Sequence, residues 1–326
     1  MARLGHFSLI MRILITGGLG FVGGRIAVHL VQLGHQIVLG SRKEINQPVW
    51  LPQAELTQIE WEDDYKLERT CNDVDVVIQA AGMNAQDCAA DPVAALAFNG
   101  VATSRLVAAA NRAGVQRFIY LSTAHVYASP FVGLITEKTC PRNLHPYATS
   151  HLAGEHAVLH ADRSGPMHGI VLRLSNAFGA PVHKDVNCWM LLVNDLCMQA
   201  VQTRKLLLDT SGSQQRDFLS LTDLCRVAEF LGVGRDGVSH RGVFNVGSGV
   251  SQTVLQMAQL IQQRCQQVLG FKPELRYPPS APDKKNPVLT FRADRLANEH
   301  LGNGQNDTAE IDALLRFCQL NLSQSA

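Results

Sequence analysis

The sequence carries no surplus of charge: its 326 residues hold 29 Lys and Arg against 28 Asp and Glu, a formal net charge of +1. That balance leaves no electrostatic footprint for nucleic acid or an anionic membrane surface, and neither is expected as a partner. No apolar run reads as long enough to span a bilayer, which takes roughly 20 consecutive apolar residues. Residues 1–10 lack the apolar core of a secretory signal and read as a tail or an upstream start before Met11. The eight cysteines are scattered, and none forms a Cys-x-x-Cys pair. Reduced thiols in a cytoplasmic protein are therefore expected, with no structural metal site. There is no internal repeat and no low-complexity segment.

What is present begins with apolar mass. Hydrophobic residues make up 46% of the chain, enough for one large domain with a lobe, or for two domains. The most informative stretch is Arg12-Ile-Leu-Ile-Thr-Gly-Gly-Leu-Gly-Phe-Val-Gly23. The run Ile13 to Ile15 reads as a buried strand. It leads into Gly17, Gly20 and Gly23, and then into Ile26, Leu30 and Leu33 at helical spacing. Strand, glycine turn and helix together make a dinucleotide-binding loop. Gly17 permits a tight turn, Gly20 lets the backbone approach a pyrophosphate, and Gly23 lets the helix pack on the strand. The helix N-terminus, from Phe21 and Val22 onward, then faces the anion with unpaired N–H groups. The alternative is an ordinary tight strand-to-helix connection.

Strands and helices alternate through the first half. Further strands are expected at Gln36–Leu39, Leu56–Glu60, Val74–Ala80, Phe118–Ser122 and Ile170–Leu174. Val93–Ala113 is rich in Ala and Leu at helical period and stops at Gly114. This alternation argues a parallel, doubly wound α/β sheet with ligands at the carboxyl ends of its strands. The second half is less regular. Trp189–Val201, Thr253–Leu269 and Ala309–Leu320 read as helices, and the proline-rich stretch Pro273–Pro287 as a loop.

Several blocks follow one another in a telling order. They are Thr16–Gly23, Ala80-Ala-Gly82, Asn99 within a helix, Gly114–Thr123, Val126-Tyr127, Pro146–Glu155, Leu172–Gly179, Arg216-Asp-Phe218, Asp223 and Asn245–Gly249. With them the chain resembles the extended short-chain dehydrogenase/reductases, in their NAD(P)-dependent epimerase/dehydratase branch that acts on nucleotide sugars. The resemblance runs from Arg12 to Gly302. It implies a Rossmann-type domain over 11–177, with 215–248 returning to it. It also implies a smaller substrate lobe over 178–214 and 249–326. The implied reaction is hydride exchange at a sugar carbon, as an epimerase or a keto-reductase. A homodimer is implied as well, since the family often pairs through two helices per subunit.

The family's catalytic signature is Tyr-x-x-x-Lys, and this chain has Tyr147-Ala-Thr-Ser-His151. Residues four apart share a helix face, so both side chains are expected toward the cofactor. In the family the lysine holds the nicotinamide ribose and lowers the tyrosine pKa, which is about 10 unperturbed. A histidine is only partly protonated near neutrality. Three readings stay open for His151: a working substitute, a slower or altered enzyme, or a protein that binds NAD(P) as a sensor or scaffold without turnover. Thr123 takes the position of the family's Ser or Thr, bonding the substrate oxygen, and Ser122 is placed to touch the cofactor. Ala124 and His125 stand where sugar 4,6-dehydratases carry Asp-Glu, which argues against 4,6-dehydration. Asn99 supports the active-site helix or a water chain.

Ala80, Ala81 and Gly82 are implied to pass under the nicotinamide ribose. The second strand ends in Ser41, where NAD-preferring members carry an acid, and Arg42 and Lys43 follow. Those cations suit a 2′-phosphate, so the preference leans toward NADP; a solvated basic loop is the alternative. Asp63 or Asp64 is placed to accept from the adenine amino group, or to lie in a surface loop. For the nucleotide-sugar substrate, Asn176 is expected at the cleft mouth, with Arg216 and Arg292 as diphosphate-binding candidates. Asn245–Gly249 reads as an architectural strand-to-loop segment of the lobe.

Overall fold

Consecutive burial, rather than alternation, marks the first strand: Ile13, Leu14 and Ile15 are all fully buried. Such strands belong to parallel sheets covered on both faces. The computed structural model describes residues 10–44, 46–234, 240–279, 287–297 and 306–322. All but the last residue of the N-terminal tail lies outside them. In chain order the first half runs β1 (Arg12–Thr16), α1 (Phe21–Gln32), β2 (Gln36–Ser41), β3 (Glu55–Gln58), α2 (Asp64–Thr70) and β4 (Val76–Gln79). There follow α3 (Ala85–Ala90), α4 (Pro92–Ala95), a π-helical turn (Leu96–Ala102), α5 (Thr103–Arg112), β5 (Arg117–Thr123), β6 (Gly133–Ile135), α6 (Pro146–Ser164) and β7 (His168–Leu174).

The second half runs β8 (Asn176–Phe178), α7 (Leu192–Thr203), β9 (Lys205–Leu207), β10 (Gln215–Ser220), α8 (Leu221–Val233) and β11 (Gly242–Val246). It ends with β12 (Ser251–Thr253), α9 (Val254–Val268), β13 (Glu274–Arg276), β14 (Leu289–Phe291) and α10 (Asp307–Leu322). Seven parallel strands form the central sheet in the order β11-β7-β5-β4-β1-β2-β3. The order reverses between β1 and β4, and ligands bind outside the carboxyl ends of strands at such a point. This is the doubly wound Rossmann-type sheet that the alternation implied. Away from it, β12-β10-β8, β13-β9 and β14-β6 form small sheets. A separate apolar core joins α7, α9 and α10 through Leu196, Ile261 and Leu314.

Three differences from the sequence reading have physical causes. The segment Val93–Ala113 is not a regular helix, because its middle is the π-helical turn holding Asn99. The whole of Pro92–Arg112 is long and apolar enough to cross a membrane by length and composition, and 50% of its most apolar window is buried. It packs against α6 and α2 as a core helix. Of the segment 215–248, β11 joins the central sheet beside β7, whereas β10 pairs with β8 and β12. Asn245 and Val246, read as part of the lobe, therefore complete the central sheet. Within Pro273–Pro287, β13 pairs with β9, and 280–286 lie outside the described residues.

The start of α10 stores an electrostatic penalty. Asp307 is 7% exposed, and its Oδ1 has no hydrogen-bond partner among the described residues. Burial, with Asp223, Asp217 and Glu310 nearby, pushes its pKa up to about 7. The folded chain thus holds this proton more tightly than the unfolded chain, whose Asp titrates near 4. Stability falls as pH rises from that value through 7, and the full linkage is on the order of 4 kcal/mol. Asp307→Asn should therefore raise Tm more at pH 8 than at pH 5, roughly 1 unit above the unfolded Asp pKa. Thermal melts at both pH values check this; equal shifts, or a loss at pH 8, would contradict it.

Candidate active site

A cavity of about 710 Å³ opens over the carboxyl ends of the central strands. Gly17, Gly20, Phe21, Val22 and Gly23 line it on the β1 side. Gly17 has φ +66°, and a Cβ there would sit 2.7 Å from the Ala81 backbone nitrogen. A Cβ on Gly23 would run into the Gly17 carbonyl oxygen. Gly20 is the N-cap of α1 and provides no side-chain cap, and the first turn holds no acidic residue. The leading N–H groups of α1 therefore lack intrahelical partners and meet the cavity, as an anion site requires. These residues fit a dinucleotide pyrophosphate. Gly17 and Gly23 meet the steric demands that their spacing implied.

Across the cavity stands α6, started by Pro146 in its first turn and by His145, which accepts from the Tyr147 N–H at 3.2 Å. The helix lies very close to its neighbours. Asn99 accepts from the Met83 N–H at 2.8 Å and donates from Nδ2 to Ser150 Oγ at 3.1 Å. The Asn99 side chain thus ties the β4 loop to α6. Ser122 donates to Glu155 Oε1 at 2.5 Å. Glu155 is fully buried and takes a two-pronged contact from Arg173, with Nη2 to Oε2 at 2.6 Å. Ser122 lines the cavity, but its hydroxyl proton is engaged behind the site.

Tyr147 and His151 share one helix face, their ring centroids 4.6 Å apart and edge-on. Burial raises the Tyr147 pKa, and a hydrogen bond with Thr123 opposes that rise. Burial alone pushes the His151 pKa down to about 4. At neutral pH the imidazole is therefore uncharged, which corrects the expectation of partial protonation. The ring's partner is Tyr120, whose hydroxyl lies 2.9 Å from Nδ1.

The cavity also gathers Arg42, Ala80, Gly82, Thr123, Asn176 and Arg216. Asn176 donates to the Asp217 carbonyl at 2.8 Å. Arg216 is half-buried, its pKa lowered by desolvation. It pairs with no carboxylate among the described residues. Ala81 backs the glycine loop through its backbone.

Several expected residues stay outside the cavity lining, Lys43 and Ala81 among them. Asp63 caps α2, accepting from the Lys66 N–H at 3.0 Å, and Asp64 pairs with Arg105. Ser41 accepts from the Lys43 N–H in its own turn. Arg292 pairs with Asp294 at 2.8 Å, and both are solvent-exposed. For Asp63, Asp64, Ser41 and Arg292 a local partner satisfies the side chain. Missed by the sequence reading were Tyr120, the Glu155–Arg173 pair, and Phe98, over which the Arg42 guanidinium lies at 5.2 Å. The one available signal was a Glu at the end of the Pro146–Glu155 block with an Arg in the next strand.

Comparisons with known proteins agree with this geometry. The profile of the NAD dependent epimerase/dehydratase family matches residues 13–247. The chain is 24% identical over 274 residues to a putative UDP-glucose 4-epimerase of Methanocaldococcus jannaschii, covering 81% of this chain and 85% of the relative. It is 28% identical over 293 residues to a dTDP-6-deoxy-L-talose 4-dehydrogenase (NAD(P)(+)) of Kitasatospora kifunensis, covering 86% of each. Its fold matches that of a UDP-N-acetylglucosamine 4-epimerase from Methanobrevibacter ruminantium solved with UDP-N-acetylmuramic acid. There the TM-score is 0.76 at 21% identity, covering 94% of this chain and 98% of the other. With its glycine loop, its Tyr147 helix and a family match over most of its length, the chain belongs to the NAD dependent epimerase/dehydratase family.

Proposed function

We propose that the protein is an NAD(P)-dependent epimerase or keto-reductase acting on a nucleoside-diphosphate sugar. The observation that carries this reading is Arg216. It is a half-buried guanidinium without a carboxylate partner among the described residues, and it shares a cavity with the glycine loop and Tyr147. A desolvated cation of this kind needs an anion. The strand order sets Thr123, at the end of β5, between the β1 loop and the β8–β10 side that carries Asn176 and Arg216. One anion site then suits the cofactor pyrophosphate and the other a substrate diphosphate, with the reacting groups between them. Relatives named for UDP-glucose and dTDP-linked sugars support the substrate class.

Bound NAD(P) supplies the hydride acceptor and donor. The chain supplies orientation and proton transfer. Tyr147 takes a proton from a sugar hydroxyl or returns it, and Thr123 holds the same oxygen and the phenol together. His151 anchors the nicotinamide ribose. Ala124 and His125 stand where sugar 4,6-dehydratases carry Asp-Glu, and burial and Arg216 lower the His125 pKa, so elimination of water is not the proposed reaction. At the adenosine end, Ser41 stands where an acid would bind ribose hydroxyls, and Arg42 lies along the cavity. This supports NADP over NAD. Residues 11–177 with α8 and β11 form the cofactor domain in this reading, and the remaining elements form the substrate lobe.

One observation favours a second reading, an NAD(P)-binding sensor or scaffold. Among the described residues no lysine cation acts on Tyr147, whose pKa burial raises. Turnover of a nucleotide-sugar panel, followed by product analysis, separates the two. Tyr147→Phe should lower kcat about 10²- to 10⁴-fold, the usual contribution of a positioned proton relay. Tight binding without any turnover in wild type would establish the second reading instead. Arg216→Ala should weaken the nucleotide sugar by about tenfold or more, as loss of a charge-assisted contact does. It should leave cofactor affinity unchanged, and titration calorimetry reads both. Arg42→Ala should weaken NADP about tenfold and NAD little; equal effects on the two cofactors would count against the NADP preference.

A further inference from the structure

We propose that Tyr120 is a positioning residue that holds His151 as the tautomer protonated on Nε2, so that an uncharged imidazole presents a fixed N–H donor to the cofactor ribose. The proposal rests on the cofactor-binding part of the function proposed above. It concerns a residue that lies in the core of β5 and does not line the cavity.

One end of the hydrogen-bonded chain behind His151 has a fixed direction. The Gln79 amide nitrogen lies 3.3 Å from the Ala81 carbonyl oxygen. A carbonyl can only accept, so this end of the amide must be the NH₂ group. The Gln79 oxygen then faces Thr16, whose hydroxyl donates to it. The same NH₂ donates to Thr103 Oγ1 at 3.2 Å. With its oxygen accepting from Gln79, Thr103 keeps its own proton to donate, and its hydroxyl opposes the rise that burial imposes on the Tyr120 pKa. Tyr120 in turn has one proton to give. Its two candidate acceptors are His151 Nδ1 at 2.9 Å and the Asn99 carbonyl at 3.4 Å. The shorter contact is the normal hydrogen bond. In the proposal the Tyr120 proton goes to the shorter contact, so that Nδ1 accepts and the ring proton of a neutral His151 is on Nε2.

Two further facts support this polarity. Thr16, Gln79, Thr103 and Tyr120 are at most 1% exposed, and His151 is 6% exposed. Partners inside such a chain are set by the chain itself, because a buried polar group left unpaired is costly. Nε2 also faces the cavity. A Cβ added to Gly82, which lines the cavity, would lie 3.9 Å from Nε2 and 3.7 Å from Cε1.

The chemical consequence concerns proton direction. A ribose hydroxyl that accepts from Nε2 keeps its own proton free to donate toward Tyr147. The opposite tautomer would present a lone pair, draw that proton to itself and reverse the relay. A lysine ammonium can only donate and needs no such control. A neutral histidine in its place does, and Tyr120 provides it.

The test reads the tautomer directly. Protein labelled with ¹⁵N-histidine is examined by long-range ¹H–¹⁵N correlation without cofactor, and the His151 signals are assigned by their loss in His151→Gln. Wild type should show an unprotonated Nδ1 and a protonated Nε2. Tyr120→Phe removes one oxygen and should shift the ring toward the Nδ1-protonated form. It should also weaken NAD(P) about tenfold, the scale of one misdirected hydrogen bond. Thr103→Val, which removes only the hydroxyl feeding Tyr120, should move both readouts the same way by less. A protonated Nδ1 in wild type would overturn the proposal. So would an unchanged tautomer, or unchanged cofactor affinity, in Tyr120→Phe. The spectra require no substrate, so failure of the nucleotide-sugar reading would leave them unaffected.

Discussion

The close approach of α6 to β5 and to the π-helical turn decides where Tyr147 and His151 lie, and Gly154 makes that approach possible. A Cβ at this position would sit 2.7 Å from the Asn99 carbonyl oxygen and 2.8 Å from the Tyr120 hydroxyl. Glycine costs the helix about 1 kcal/mol relative to alanine. In return, the bonds from Asn99 to Ser150, Tyr120 to His151 and Ser122 to Glu155 can all cross the gap. The buried Glu155–Arg173 pair fastens the same helix to β7. Removing one partner from such a pair costs roughly 3–5 kcal/mol, because a bare buried charge remains. Ser150, His151 and Glu155 stand three, four and eight residues after Tyr147, so these contacts hold the same helix face that carries the phenol.

Charge is placed at the ends of this cavity rather than at its centre. The N-terminus of α1 offers partial positive charge at one end, and Arg216 offers a full charge on the β10 side. Between them, Thr123, Tyr147 and His151 are uncharged at neutral pH, the last because burial outweighs every other influence on its ring. A reacting centre of this kind orients and relays protons through hydroxyls and an imidazole. It does not lean on a permanent cation to acidify the phenol. In the function proposed above, the change from lysine to histidine alters how the proton is controlled, while the Rossmann-type sheet is intact.

Much of this was legible in the chain. Gly17 and Gly23 serve steric needs that only glycine meets, so their spacing carried the loop directly. Consecutive burial in β1 and β4 gave the parallel sheet. The failures came where local chemistry or tertiary context decided the outcome. Asp63 and Arg292 found partners three and two residues away, so nothing drew them to the cavity. The π-helical turn holds Asn99, whose bonds to Met83 and Ser150 no periodicity reports. Tyr120 sits among Phe118, Ile119 and Leu121 in a buried strand, and its hydroxyl cannot be told from core packing. The His151 pKa depends on burial, which residue type does not specify.

The central claim is that the proton relay works beside a neutral imidazole. The most direct measurement is kcat against pH for wild type and His151→Lys with a substrate that turns over. With its pKa at about 4, His151 should give wild type no ionisation limb between about pH 5 and 8. The rise should come only on the alkaline side, as the Tyr147 phenol ionises above its ordinary value of roughly 10. The lysine variant should move that rise to lower pH, since a nearby cation favours phenolate. A wild-type limb near pH 6.5, the ordinary histidine value, that vanishes in the lysine variant would show an imidazolium at work and contradict the account.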